Sequence, residues 1–199
     1  MRIGIYGGTF DPIHLAHLVL AEQCLEQAAL DEVWFIPAAQ PPHKLGASIS
    51  PPAQRLAMLE FAIAGHPRFR VDRVELERGG PSFTVDTLSL LQARHPADEW
   101  FLLLGADAIR DFPTWREPER ILELARIVAV NRGGQPLPDL APVQGGRAER
   151  VQVVEMPGLE ISATDLRARV AAGRSIRFLV PRAVEVYIHQ QALYRRATS

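Results

Sequence analysis

Two histidines three positions apart, His14 and His17, stand at the start of a predicted helix and follow a glycine pair, Gly7 and Gly8. On a helix that spacing puts both imidazoles on one side. The apolar run Met1 to Tyr6 reads as a short buried strand, so the order is strand, glycine turn, helix. Glycine lets a backbone turn tightly and come close to a ligand. Thr9 and Asp11 can bond nearby main-chain groups, and Pro12 suits the turn before a helix. Unpaired N–H groups and the helix dipole make such a junction an anion site. Two histidines beside it point to a phosphate whose charge changes during a reaction.

Two common phosphate motifs are excluded by spacing. A dinucleotide fingerprint needs glycines two and five positions after Gly7, where the chain has Thr9 and Pro12. No acidic residue ends the second predicted strand, since Pro37 is followed by Ala38, Ala39 and Gln40. No Gly-Lys-Ser/Thr triplet forms a Walker loop. The bland reading of His14 and His17 is a capped helix with two polar side chains. A zinc pair lacks further ligands, because no cysteine cluster or HExxH element accompanies it.

Other residues suit the same chemistry. Lys44 follows His43 and the stiff pair Pro41–Pro42, and a loop lysine can hold a phosphate as a point charge. Ser162 or Thr164 can cap a helix entered at residues 161–167, with Arg167 expected in its first turn. A cation there is unfavourable against the helix dipole unless an anion lies between them. An outward-pointing Arg167 is the alternative. Trp115, in a polar loop, can stack on a flat heterocycle or lid the core. Asp107, after Leu104 and Gly105, can accept ribose hydroxyls or cap a helix.

The elements that must position these groups alternate along the chain. Strands are predicted at Val33–Ile36, Trp100–Leu104, Ile127–Val130 and Val151–Val154, with Phe69–Leu76 as one half-exposed strand or two short ones. Helices are predicted at Leu15–Ala28, Gln54–Ala64, Thr84–Ala93 (capped by Ser82 or Thr84), Pro118–Leu124, Asp165–Ala172 and Ala183–Ala192. Residues 133 to 149, rich in Gly and Pro, read as a loop. Short strands alternating with helices imply an α/β fold with a parallel sheet and crossover helices. Ligands bind such sheets beyond the strand carboxyl ends, where the Gly7 turn, the Lys44 loop, the Gly105 turn and the segment after Val154 all fall.

Composition limits the function classes. A chain of 199 residues fits one domain, 1–199, with a full core. Its net charge of −1 gives no global basic field for nucleic acid. The single cysteine, Cys24, has no intrachain partner and falls in the first predicted helix, as a small buried apolar residue. No signal pattern or long apolar run appears, so a cytoplasmic protein without membrane association is expected.

The ordered motifs at residues 7–17, 41–44, 82–88, 104–107 and 161–167 closely resemble bacterial nicotinate-nucleotide adenylyltransferases, of the HxGH nucleotidyltransferase superfamily. The resemblance covers nearly the whole chain. It departs at Ala16, where the superfamily pattern usually has Gly, and at Ala163, where Ser is commoner. It implies a Rossmann-like sheet with helices on both faces. It further implies attack of the 5′-phosphate of nicotinate mononucleotide on the α-phosphorus of ATP, with Mg²⁺ and no covalent enzyme intermediate. His14, His17 and Arg167 are then the implied catalytic residues. Gly7, Gly8, Thr9, Phe10, Gly105, Asp107, Ser162 and Thr164 are implied on the ATP side. Lys44, Thr84, Trp115 and Arg132 are implied on the nicotinate-nucleotide side. The implied partners are ATP and nicotinate mononucleotide, with a homo-oligomer left open. Phosphopantetheine as the acceptor, or a non-catalytic nucleotide sensor, are the competing readings.

Overall fold

The central strands are largely apolar because both faces of the sheet are covered there. The computed structural model describes residues 1–41, 49–133, 139–146 and 148–195, and of Arg132 the main chain only. Six parallel strands lie in the order β3-β2-β1-β4-β5-β6. They are β1 (Arg2–Gly8), β2 (Glu32–Pro37), β3 (Phe69–Val71), β4 (Glu99–Gly105), β5 (Arg126–Arg132) and β6 (Val151–Met156). Strand order reverses between β1 and β4, which pair through Ile3–Trp100 and Ile5–Leu102. This is the Rossmann-like architecture, and its crevice opens beyond the carboxyl ends of those two strands.

Alternate strand residues feed two cores. Phe101 and Leu103 of β4 pack on one face with α1 (Leu15–Gln27), α2 (Pro52–Ile63), α8 (Ala163–Ala171) and α9 (Arg182–Gln190). Trp100, Leu102 and Leu104 pack on the other face. Helices α3 (Val74–Arg78), α4 (Thr84–Arg94), α5 (Ala106–Asp111) and α6 (Pro118–Leu124) cover that side. Gly4 permits close packing at the centre, since a Cβ there would lie 2.8 Å from a methyl of Leu30. Cys24 is buried in the first core, which pushes its thiol pKa up to about 12. Among the described residues, no helix is long and apolar enough to cross a membrane.

Local structure corrects four expectations. The strand expected over Phe69–Leu76 stops at Val71, because the Asp72 carboxylate accepts the Val74 N–H at 2.7 Å and starts α3. Residues 133–149 include the short helix α7 (Ala141–Gln144), capped by Asp139 and anchored by the buried Val143. Helix α8 begins at Ala163, capped by Ser162, whose hydroxyl accepts the Asp165 N–H at 3.1 Å. Arg167 is therefore its fifth residue, two positions further in than expected and just past the first turn. Neither Ser82 nor Thr84 caps α4: Phe83 stands at the cap without a side-chain bond, and the Ser82 hydroxyl accepts the Ala39 N–H instead.

Candidate active site

The loop after β1 is built around its glycines. A Cβ at Gly8 would come within 2.9 Å of the Phe10 ring, so that ring can seat itself only under a glycine. Phe10 takes a left-handed φ of 49° and buries its side chain, edge-on to Tyr6 and His17. Its side chain therefore serves the core, and what it offers a ligand is main chain. Nothing lies within 4 Å of where a Gly7 Cβ would be, so the turn is open to close approach there.

Helix α1 then begins with His14 at its cap. The two imidazoles stack with centroids 3.7 Å apart and 22° between planes, so they do share one side of the helix. His17 Nδ1 accepts the His14 main-chain N–H at 3.2 Å, which leaves the neutral ring's proton on Nε2. His14 is buried, His17 half-buried, and Ala16 between them is buried in the helix.

Arg167 faces this loop. Its guanidinium donates to the Asp11 carbonyl at 2.7 Å and lies 3.4 Å from the Thr164 hydroxyl. The outward-pointing alternative is excluded by that contact. Asp11 is itself a junction. Its carboxylate accepts the Ser50 N–H at 3.1 Å and the Tyr194 hydroxyl at 2.6 Å. Burial and the bond to Asp11 raise the Tyr194 pKa, so the phenol stays protonated and keeps donating.

A cavity of about 510 Å³ runs from this loop over the ends of β1 and β4. Gly7, Gly8, Thr9, Gly105 and Asp107 line one part, and Thr84 and Trp115 line it as well. Gly105 caps α5, and Asp107, 83% exposed, pairs with Arg110. Trp115 packs at 45° against the buried Phe112, as a lid on the core would, and also lines the cavity. The segment before α4 is held against the end of β2, with the Ser82 N–H bonded to the Gln40 carbonyl at 3.0 Å. The uncapped N-terminus of α4 thus opens on the cavity at Ser82, Phe83 and Thr84. His14, His17, Ser162, Thr164 and Arg167 are not in the cavity wall; the last is joined to the site through Asp11. Lys44 lies outside the described residues, as does the side chain of Arg132.

Sequence reasoning missed three polar residues of this region. Arg55 is 1% exposed, Glu75 is 6% exposed in the cavity wall, and Arg116 reaches the cavity while bonded to Asp86. Glu75 accepts the Thr87 hydroxyl at 2.7 Å, and burial raises its pKa above the usual carboxylate range. A signal for Arg55 existed, since it shares the helical face of Met58, Leu59 and Ile63.

Residues 5–169 match the cytidylyltransferase-like family model. A probable nicotinate-nucleotide adenylyltransferase of Thermus thermophilus is 50% identical, over 98% of this chain and 100% of the relative. One from Thermomicrobium roseum is 48% identical, over 98% of this chain and 92% of the relative. The chain belongs to the nicotinate-nucleotide adenylyltransferase family. The Plasmodium falciparum nicotinic acid mononucleotide adenylyltransferase complexed with NaAD shares the adenylyltransferase fold, with a TM-score of 0.81. It is 22% identical, and the match covers 97% of each chain. The cavity joins the carboxyl end of β1 to the N-terminus of α4.

Proposed function

We propose that the protein transfers the adenylyl group of ATP to nicotinate mononucleotide, acting in the cytoplasm as one domain over residues 1–199. A phosphate oxygen of the mononucleotide attacks the α-phosphorus. The bond from that phosphorus to the β-bridging oxygen breaks, and pyrophosphate leaves with the electron pair. The observation that carries this reading is the single cavity joining the Gly7–Thr9 turn and Gly105 to Thr84 and Trp115.

Such an in-line transfer needs positioning and charge stabilisation rather than a protein nucleophile. Nε2–H of His17 is suited to donate to a phosphate oxygen as charge builds, with His14 stacked beneath it. Main-chain groups of the Gly7–Phe10 turn receive the phosphates. Arg167, with Ser162 and Thr164 at the start of α8, holds the departing pyrophosphate. Gly105 and Asp107 bind adenosine. Trp115 stacks on the pyridine, and the N-terminus of α4 at Thr84 receives its carboxylate. Lys44 and Arg132 belong to the mononucleotide side in the same proposal. Magnesium bound with ATP would supply charge neutralisation on the phosphates.

Pyrophosphate release measured with ATP and each candidate acceptor tests this. Turnover with nicotinate mononucleotide and none with phosphopantetheine is expected. The reverse would reassign the acceptor, and tight ATP binding without any release would make the protein a sensor.

A further inference from the structure

We infer that Arg55, on α2, is a positioning residue for adenylyl transfer: it locks the loop after β1 to the loop after β2 through their carbonyl oxygens. The inference rests on the transfer reaction proposed above. Arg55 Nη1 donates to the Thr9 carbonyl at 2.9 Å and Nη2 to the Ala38 carbonyl at 2.7 Å, with Ala39 at 3.4 Å. Nε donates to the Ser50 carbonyl at 3.0 Å. No carboxylate is among these bonded partners. A buried cation is costly, and a hydrophobic residue in its place would pack on Met58 and Leu59 without that cost. Burial pulls the Arg55 pKa down, while Asp11, Tyr194 and Glu75 nearby oppose the loss of charge. An arginine is retained here for its fork of donors, which no apolar side chain supplies.

The carbonyls it holds decide where the neighbouring N–H groups point. In a trans peptide the carbonyl and the N–H face opposite ways. The Ala38 carbonyl faces Arg55, and the Ala39 N–H accordingly turns outward to the Ser82 hydroxyl at 2.8 Å, in the cavity wall. The Thr9 carbonyl faces Arg55 in the same way, so the Phe10 N–H points away from Arg55. One guanidinium therefore aims a donor in the ATP loop and fixes the loop leading to the mononucleotide side. Reaction in line depends on the relative placement of those two loops, so Arg55 acts on kcat more than on KM.

Steady-state kinetics of Arg55→Lys and Arg55→Ala test this, beside melting curves and amide hydrogen exchange. Lysine keeps the charge but not the fork, so kcat of Arg55→Lys is expected to fall at least tenfold. Its KM values should change less than that. Exchange over residues 8–10 and 38–40 should accelerate in the same variant, a readout that holds even if the wild-type chain proves to use another acceptor. Low-millimolar guanidinium is expected to restore several-fold activity to Arg55→Ala and none to Met58→Ala, a packing variant of the same helix. Wild-type kcat in Arg55→Lys, unchanged exchange in those segments, or loss in Arg55→Ala that follows melting temperature alone without rescue would each overturn the inference. If Arg55→Ala does not fold, Arg55→Lys decides.

Discussion

The guanidinium of Arg167 donates to the main-chain carbonyl of Asp11 across 2.7 Å, joining the helix after the last strand to the loop after the first. A carbonyl is a modest partner for a full positive charge, and Thr164 adds only a long contact at 3.4 Å. The arrangement keeps Arg167 beside the glycine turn, where an anion would be the stronger partner.

Arg167→Ala is therefore expected to weaken ATP and pyrophosphate together, with little change for the pyridine nucleotide. Loss of a charge-assisted phosphate contact costs on the order of 1.5–3 kcal/mol, or roughly ten- to hundredfold in affinity. Calorimetry with each ligand measures it. Unchanged ATP affinity would leave Arg167 the role of bracing Asp11.

His17→Ala is expected to lower kcat by roughly 10²–10³-fold while the KM for ATP changes little, as for removal of one donor acting in a transition state. The same change removes the acceptor for the His14 N–H, so about 1 kcal/mol of stability should go with it. A loss confined to KM would show that His17 only holds the ground state.

Substrate choice follows from the α4 terminus rather than from the indole. In the proposed arrangement Trp115 would stack equally on the acid and the amide, whereas helix N–H donors would pair with a carboxylate and oppose an NH₂ group. An unpaired buried donor costs about 1–3 kcal/mol, so kcat/KM for nicotinate over nicotinamide mononucleotide should be at least about tenfold. Trp115→Ala should slow both substrates and keep their ratio within a few fold. Equal kcat/KM for acid and amide in the wild type would contradict the assigned acceptor.

Glu75 predicts a pH effect on stability. Its folded pKa is raised, chiefly by burial, above the ordinary value of 4.5. Below that ordinary value both folded and unfolded chains hold the proton, and the residue contributes nothing to the pH dependence. Above it the unfolded chain releases the proton first, so folding is increasingly opposed as pH climbs toward the folded pKa. Glu75→Gln removes this penalty and keeps an acceptor for Thr87. The melting-temperature difference, variant minus wild type, should become more positive between pH 4 and pH 8. A flat difference would mean that Glu75 ionises normally.

Much of the fold was legible because its signals are local. Helix Pro118–Leu124 matches its predicted bounds, and the strands other than β3 differ by a residue or two at their ends. The glycine pair, the stacked histidines and the Ser162 cap follow from residue type and short spacing. What stayed hidden depends on partners far along the chain. Arg55 is bonded to carbonyls up to 46 residues away, Asp11 to a tyrosine 183 residues on, and Glu75 to a threonine in another helix. In sequence these look like ordinary helix or loop charges, since only tertiary pairing makes their burial tolerable. The strand wrongly extended past Val71 shows the same limit on a small scale, where one Asp72 bond outweighs an alternating pattern.

The bond from Tyr194 to Asp11 also constrains when the site can form during synthesis. A ribosome adding about 5–20 residues per second needs roughly ten to forty seconds to pass from one partner to the other. Throughout that interval the Asp11 carboxylate lacks its phenol and the Asp11 carbonyl waits for Arg167. The nascent chain thus carries the first strand, the glycine turn and the histidine helix long before their braces exist. Nucleotide capture by the growing polypeptide should accordingly appear only after α9 and Tyr194 have emerged.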